Sequence, residues 1–323
     1  MNGTMNSQPA AVSLSARVLL AFASIYVIWG TTYLAIAFAI RTLPPFVSGG
    51  LRFMVTGLLM YAWLRMKQRD VFAGVNLPMA ALCGVLLSGI GNGFVIWAQQ
   101  GIPSGVAALM VTFMPVLVLV LEWMLFTHRA PTPQALFGVA LAVAGVATIV
   151  IHTHELAGAA QPLYIVSMLA AVVGWSFGTL LQKRSANKQT VLSFTCAQML
   201  AGGMFQFTMA TIDGEWARFH PASVSVESWL ALFYLIIFGS IVALNSYLWL
   251  LTRVPAQKVT TYALVNPVVA LILGALFLDE PITMLAVIAA VLVLVGVALV
   301  LFQDIDPLRW LRERRARAAL RDA

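Results

Sequence analysis

Charged side chains are scarce in this sequence. Only 10% of its 323 residues are Asp, Glu, Lys or Arg, whereas 61% are hydrophobic, and the mean hydropathy is +0.92. A water-soluble domain carries about 25% charged residues. The shortage excludes a soluble globular protein of this size. It predicts an all-α membrane protein, because lipid leaves backbone groups no partner outside a helix or a closed barrel, and no alternating β-barrel pattern is present.

Cysteine and histidine are scarce as well. Cys83 and Cys196 both lie inside apolar runs, which predicts small core side chains rather than a disulfide or a metal site. All four histidines fall between apolar runs, and the sequence contains no HExxH or GxSxG motif. These absences disfavour an intramembrane protease or esterase. We expect no catalytic residue, no metal and no cofactor.

Apolar runs fill most of the chain and are separated by short segments rich in Gly, Pro or charge. Each run is long enough to cross the hydrocarbon core, which takes about 20 helical residues. Little is left for a soluble domain. We predict ten transmembrane helices, at 18–40, 46–65, 77–98, 103–126, 133–152, 162–182, 190–212, 228–250, 255–279 and 282–302.

The basic residues are distributed unevenly around these runs. With the N-terminus in the cytoplasm, all of the 19 Lys and Arg except Arg41, Arg52 and Arg218 fall on the cytoplasmic side. We therefore expect both termini in the cytoplasm, with the basic tail at 303–323 on anionic lipid headgroups. The net charge of +7 thus predicts the lipid bilayer as a partner, and no nucleic acid.

The sequence contains an internal repeat. At a spacing of 152 residues, Trp97, Pro103 and Pro115 correspond to Trp249, Pro255 and Pro267. At a spacing of 146 residues, Trp29 and Arg52 correspond to Trp175 and Gln198. The two repeats, 18–152 and 162–302, each hold five predicted helices. Because five is odd, the second repeat must enter the membrane from the opposite side. Inverted repeats are typical of secondary transporters, whose substrate sites lie near mid-membrane between the repeats.

Pro115 and Pro267 lie near the centres of two predicted helices. A proline removes one helical hydrogen bond, which here frees the backbone carbonyls of Val111 and Ala263. Two interpretations stay open. Either the kink is structural and satisfied by a side chain such as Thr112, or the prolines are hinges that move during alternating access.

Two charged residues, Arg52 and Glu122, lie well inside predicted spans. A membrane-buried Arg costs at least about 2.5 kcal/mol, so Arg52 should face a cavity or a partner. It could bind a substrate carboxylate or phosphate in bidentate fashion, or extend to the outer interface. Glu122 is a candidate for proton coupling, or an interface residue near Arg129. Their predicted depths differ by about 15 Å, which argues against a direct ion pair.

Neutral polar and aromatic residues inside the same spans complete the candidate site. For any one polar residue, interhelical hydrogen bonding is a sufficient explanation. Together they predict an amphipathic cavity for apolar or aromatic solutes with a polar head. With Arg52, the predicted substrate-binding residues are Trp29, Asn92, Trp175, Gln198, Asn245, Tyr247, Tyr262 and Asn266.

Six motifs spread over 18–302 carry a family resemblance: Val27–Gly30, Gly91–Gly93, Pro103–Ala108, Ser240–Tyr247, Tyr262–Ala270 and Leu278–Pro281. They resemble the EamA family of the drug/metabolite transporter superfamily. The resemblance implies a ten-helix carrier of small metabolites in a bacterial inner membrane, commonly an exporter of amino acids or related compounds. In many members a Glu closes the fourth helix. His128 matches that position here, whereas Glu280 keeps the pattern in the second repeat.

The patterns favour a secondary transporter that works by alternating access, and not an enzyme. The alternative is a metabolite facilitator without ion coupling, since a selective channel would need a filter that the sequence does not show. Small residues predict close helix packing within the chain or in a homodimer. They are Gly84, Ser88, Gly138, Ala142, Ala289 and Val293.

Overall fold

A computed structural model describes residues 10–67, 70–128, 130–152, 162–185, 190–251, 253–254 and 256–303. Within them all regular structure is helical. Arg129, Pro255 and residues 304–323 of the predicted tail lie outside the described residues.

Eight helices in the described part of the chain are long and apolar enough to cross a membrane. They are α1 (Ala10–Ala39), α2 (Pro45–Lys67), α3 (Leu77–Ala98), α4 (Ser104–Thr127), α5 (Pro133–Ile151), α6 (Pro162–Ser185), α8 (Val226–Leu250) and α10 (Met284–Leu301). Two further helices lie between them, α7 (Val191–Ile212) and the shorter α9 (Tyr262–Phe277).

Most predicted boundaries agree with these helices, but two predicted helices are not continuous. The ninth was predicted at 255–279, whereas a turn at Thr260 and Thr261 separates a short helix, Ala256–Val259, from α9. The fourth is interrupted at Phe113. Hydropathy cannot locate such breaks, because the residues on both sides stay apolar.

Helices of the two halves pack against one another in a reciprocal pattern. The pairs are α2 with α7, α4 with α9 and α5 with α10, while α1 contacts α8 and α9, and α6 contacts α3 and α4. Two π-helical stretches also occupy corresponding places, Val85–Asn92 within α3 and Leu235–Val242 within α8.

The predicted close packing of small residues is confirmed within the chain. Gly138 of α5 and Gly296 of α10 face each other so closely that a Cβ on Gly296 would lie 2.5 Å from the Gly138 carbonyl oxygen. About two turns further along α5, a Cβ on Gly145 would lie 2.7 Å from a methyl group of Val293. This stripe therefore joins α5 to α10 and is used inside the molecule.

The ends of α4 and α9 are alike in backbone conformation and in the residues that follow. His128 and Asp279 both have positive φ, at 50° and 54°, and Thr132 and Thr283 cap the helices that follow. This register pairs His128 with Asp279. The residue that corresponds to Glu280 is therefore Arg129, and the sequence match of His128 to Glu280 was wrong by one position.

Glu215 begins a one-turn helix, Glu215–Arg218, after α7. It is fully buried and accepts hydrogen bonds from the backbone amides of Phe46 (3.1 Å) and Val47 (2.8 Å). Its burial raises its pKa; the two amides and the nearby Arg218 oppose this effect, and Asp213 adds to it. A carboxyl whose pKa is higher in the folded state than in the unfolded chain favours folding in its protonated form.

We therefore expect a pH-dependent difference in Tm between the wild-type protein and Glu215→Gln. The contribution of Glu215 should be greatest below pH 4.5, its ordinary pKa, and should be lost as the pH rises through its folded-state value. Thermal unfolding of both proteins in detergent across this range measures it. An advantage of the wild type that grows with pH would contradict the expectation.

Candidate functional site

An aromatic cluster forms where α1, α8 and α9 meet. The Trp29 ring centroid lies 4.8 Å from that of Tyr262 and 5.4 Å from that of Tyr247, and the two tyrosines are 6.0 Å apart. Gly30 allows this approach, because a Cβ there would lie 2.8 Å from Val269 of α9. The structure thus brings together three predicted site residues from three helices.

Arg52 of α2 lies beside this cluster and is only 6% exposed. Its Nε donates a hydrogen bond to the Ser240 hydroxyl of α8 at 2.9 Å, and its guanidinium lies 5.0 Å from the Phe53 ring centroid. Among the described residues no carboxylate lies within 4.0 Å of it. The described structure thus leaves this buried cation without a counter-charge.

Gly239 connects Arg52 to Trp29. The Trp29 indole Nε1 donates to the Gly239 carbonyl oxygen at 3.1 Å, and a Cβ on Gly239 would lie 3.2 Å from Nη2 of Arg52. Gly239 belongs to the π-helical stretch of α8. Such stretches shift the helical hydrogen-bond ladder and are frequent at functional sites. The π-helical backbone therefore positions both the indole and the cation.

Tyr33 extends the cluster and was missed by the sequence analysis. Tyr33 is partly buried, its phenol lies near that of Tyr262, and it makes no hydrogen bond within the described residues. The signal was available: Tyr33 lies four residues after Trp29, so the two share one face of α1. Trp29, Tyr33, Tyr247 and Tyr262 form a packed cluster of rings, and we call this set of residues the aromatic pocket.

Asn266 has a connecting role next to the aromatic pocket. With its amide nitrogen and oxygen assigned from the surrounding acceptors, Asn266 donates to the backbone carbonyls of Tyr26 (3.2 Å) and Tyr262 (3.1 Å). The Tyr26 hydroxyl lies 2.6 Å from that of Thr261. These bonds join α1 to α9. The side chain of Asn266 therefore fixes the helices that carry Trp29 and Tyr262.

The remaining predicted residues lie elsewhere. Trp175 packs against Gly91 of α3, and Gln198 of α7 lies against Gly84 with its side-chain oxygen unpaired in the described structure. Asn92 donates to the Leu87 carbonyl within α3. These three residues lie on α3, α6 and α7, away from the aromatic pocket. Asn245 is exposed and donates to the carbonyl of Ile241, so the structure does not bring it into the aromatic pocket.

Glu122 is not near Arg52, in agreement with the sequence analysis. It is 26% exposed and pairs with Lys183 at 3.0 Å and with Arg184 at 4.0 Å. Both partners are on α6, whereas Arg129, the neighbour expected from the sequence, lies outside the described residues. The carboxylate is thus engaged in an ion pair between α4 and α6.

The two prolines have different surroundings. Pro115 lies in the first turn of the segment that begins after the break at Phe113, where its missing amide costs little. Pro267 lies within α9. The Thr112 hydroxyl donates to the Ala108 carbonyl at 2.8 Å and not to Val111, so it does not satisfy the carbonyl that was expected to need it.

Replacing Trp29 by Phe tests the indole contact. The ring contacts are retained, but the Gly239 carbonyl loses its donor, which costs about 1 kcal/mol. We expect a roughly fivefold lower kcat/KM for transport. Trp63→Phe is the matched control, because Trp63 is 48% exposed on α2 and lies away from the pocket. Equal activity of the two variants would contradict the assigned contact.

The comparison with known proteins agrees with this architecture. The model of the EamA-like transporter family matches residues 16–151 and 162–302. An "uncharacterized inner membrane transporter YedA" of Escherichia coli K12 is 34% identical over 78% of this chain and 79% of its own length. A "probable amino-acid metabolite efflux pump" of the same organism is 27% identical over 88% of this chain and 94% of its own.

A solved crystal structure shares the fold, with a TM-score of 0.57 and 22% identity, and the match covers 88% of this chain and 97% of that one. The family match covers most of the chain and both of its halves. The chain therefore belongs to the EamA-like transporter family of the drug/metabolite transporter superfamily and is a membrane transporter rather than an enzyme.

Proposed function

We propose that this chain is a secondary transporter of ten membrane-spanning helices, arranged as two inverted five-helix repeats, 18–152 and 162–302. The reciprocal packing of α2 with α7, α4 with α9 and α5 with α10 supports the repeat, as do the two corresponding π-helical stretches. The uneven distribution of Lys and Arg supports cytoplasmic termini and tail in a bacterial inner membrane.

The substrate in this proposal is a small metabolite with a carboxylate and an apolar or aromatic body. The observation that carries it is Arg52, a buried guanidinium without a carboxylate partner in the described structure, beside the aromatic pocket. A guanidinium binds a carboxylate through two parallel hydrogen bonds. The name of the similar efflux pump supports amino-acid metabolites as the class and export as the direction.

The pocket of this proposal is asymmetric. Arg52, Trp29, Tyr247, Tyr262 and Asn266 bind or position the substrate, whereas Asn92, Trp175, Gln198 and Asn245 are peripheral. Alternating access moves the repeats about the interrupted α4 and the Pro267 segment of α9, with Pro115 and Pro267 as hinges.

Transport by the purified protein in proteoliposomes tests the proposal. We expect saturable uptake of aromatic or branched carboxylates, such as amino acids and their 2-oxo acids, above that of protein-free liposomes. Uptake indistinguishable from protein-free liposomes across this panel would contradict it.

A facilitator without ion coupling is the second candidate. Its support is the position of Glu122, which pairs with Lys183 and Arg184 instead of facing the aromatic pocket. The same liposomes distinguish the two candidates. A pH gradient should drive accumulation against a substrate gradient only if a proton is coupled. The sequence analysis also left a homodimer open. Light scattering of the detergent-solubilised protein tests whether one forms.

A further inference from the structure

Two carboxylates connect the two halves of the molecule at one face of the membrane. Glu280, after α9, accepts hydrogen bonds from the backbone amide (2.6 Å) and the hydroxyl (3.0 Å) of Ser104. It also accepts one from the backbone amide of Gly105 (3.2 Å). Glu215, after α7, accepts the amides of Phe46 and Val47. Each carboxylate thus caps the first turn of a helix in the other half.

Within the described residues, the helices α4 and α2 have no residue of their own that caps their first backbone amides through a side chain. The residue before α4 is Pro103, which has no side-chain hydrogen-bonding group, and α2 begins at Pro45. The first amides of a helix need acceptors, and a buried amide without one costs about 1–3 kcal/mol. Ser104 and Glu215 are almost completely buried, so water does not take this role.

Small residues make room for the Glu280 contact. A Cβ on Gly274 would overlap Oε2 of Glu280 and would lie 2.9 Å from the Ser104 hydroxyl oxygen. The carboxylate therefore reaches α4 only because position 274 has no side chain.

The opposite face differs. There α7 begins after Thr190 without a side-chain cap, and Asp70, which follows α2 as Glu215 follows α7, accepts the amide of Phe72 in its own loop. The residue that corresponds to Glu280 is Arg129, whose side chain cannot accept a hydrogen bond. At this face Glu122 of α4 forms a partly exposed ion pair with Lys183 of α6, and such pairs contribute little.

We propose that Glu280 on Ser104 and Gly105, and Glu215 on Phe46 and Val47, form a latch that holds the periplasmic side closed, and that opening to the periplasm breaks these bonds. The inference rests on the proposed transport function and orientation. In alternating access, contacts between the halves at one face must break when that face opens. A latch at the periplasmic face favours the conformation that is open to the cytoplasm, from which an exporter loads its substrate.

Cysteine labelling tests the latch without any substrate. Val106 is 6% exposed and lies beside Glu280. Val106→Cys is introduced into a variant in which the two native cysteines, Cys83 and Cys196, both buried, are replaced by Ala. A membrane-impermeant maleimide is added to right-side-out and to inside-out vesicles. In right-side-out vesicles we expect Glu280→Gln and Gly274→Ala each to accelerate labelling about tenfold, as for loss of one charge-assisted hydrogen bond.

The matched control is Glu227→Gln. Glu227 pairs with Arg41 between the halves on the same face, but both side chains are about half exposed, so labelling should stay unchanged. Unchanged labelling in folded Glu280→Gln would overturn the latch. So would acceleration in both vesicle orientations, which indicates loosened packing. If neither variant folds, Ser104→Ala, which removes one of the three donors, must still accelerate labelling from the periplasmic side. Because no substrate is involved, failure of transport alone leaves these results interpretable.

Discussion

Replacing Arg52 by Ala is expected to reduce kcat/KM for a carboxylate substrate by about 100-fold or more, while the protein still folds. Truncating one partner of a buried charged pair costs about 2–5 kcal/mol. Because Arg52 has no carboxylate partner in the described structure, its removal leaves no opposite charge unpaired within the protein. The loss should therefore be much larger in transport than in Tm.

Arg52→Lys separates charge from geometry. Lysine keeps the positive charge but cannot donate to Ser240 and to a carboxylate in the fixed arrangement of a guanidinium. We expect it to recover only part of the lost activity. Full activity of Arg52→Ala, measured as initial uptake into proteoliposomes at matched protein content, would contradict the assigned role.

Gly296→Val is expected to have the largest effect on stability. Its Cβ would meet the Gly138 carbonyl oxygen at 2.5 Å and the Ala142 backbone nitrogen at 2.6 Å. Neither is the end of a flexible side chain, so α5 and α10 must separate. Overpacking of this kind costs about 1–3 kcal/mol or more. We expect a marked loss of monodisperse protein and a lower Tm in detergent.

The control for this substitution lies one residue earlier on α10. Val295 is 45% exposed, and Val295→Ile adds a methylene group on the outer surface of the helix. Its Tm should match that of the wild type. Equal Tm values for Gly296→Val and the wild type would show that α5 and α10 are not held together at this crossing.

The helices and part of the pocket could be predicted because both depend on local pattern. Apolar runs located the spans, and mid-span aromatic residues marked Trp29, Tyr247 and Tyr262. Symmetry was less reliable for the site. Positions that correspond to Tyr247 and Tyr262 by the spacing of Trp97 and Trp249 hold Val95 and Met110. Trp175 and Gln198 therefore have no tyrosines at these two positions to join.

Contacts between distant helices could not be predicted from the sequence. The bond from Arg52 to Ser240 requires α2 to lie against α8, and Glu215 lies in a one-turn helix after α7 that hydropathy treats as solvent-exposed. The π-helical stretch that holds Gly239 has no composition that separates it from an α-helix. These features follow from tertiary packing, which places charged groups next to backbone amides and carbonyls.

The central claim is that Arg52 recognises the carboxylate of a substrate whose apolar part occupies the aromatic pocket. Calorimetric titration of the detergent-solubilised protein with an aromatic carboxylate that it transports, and with the matching primary amide, tests this most directly. We predict at least about tenfold tighter binding of the acid by the wild type, as for a charge-assisted pair, and equal affinities for both ligands in Arg52→Ala. An acid preference that persists unchanged in Arg52→Ala would contradict the claim.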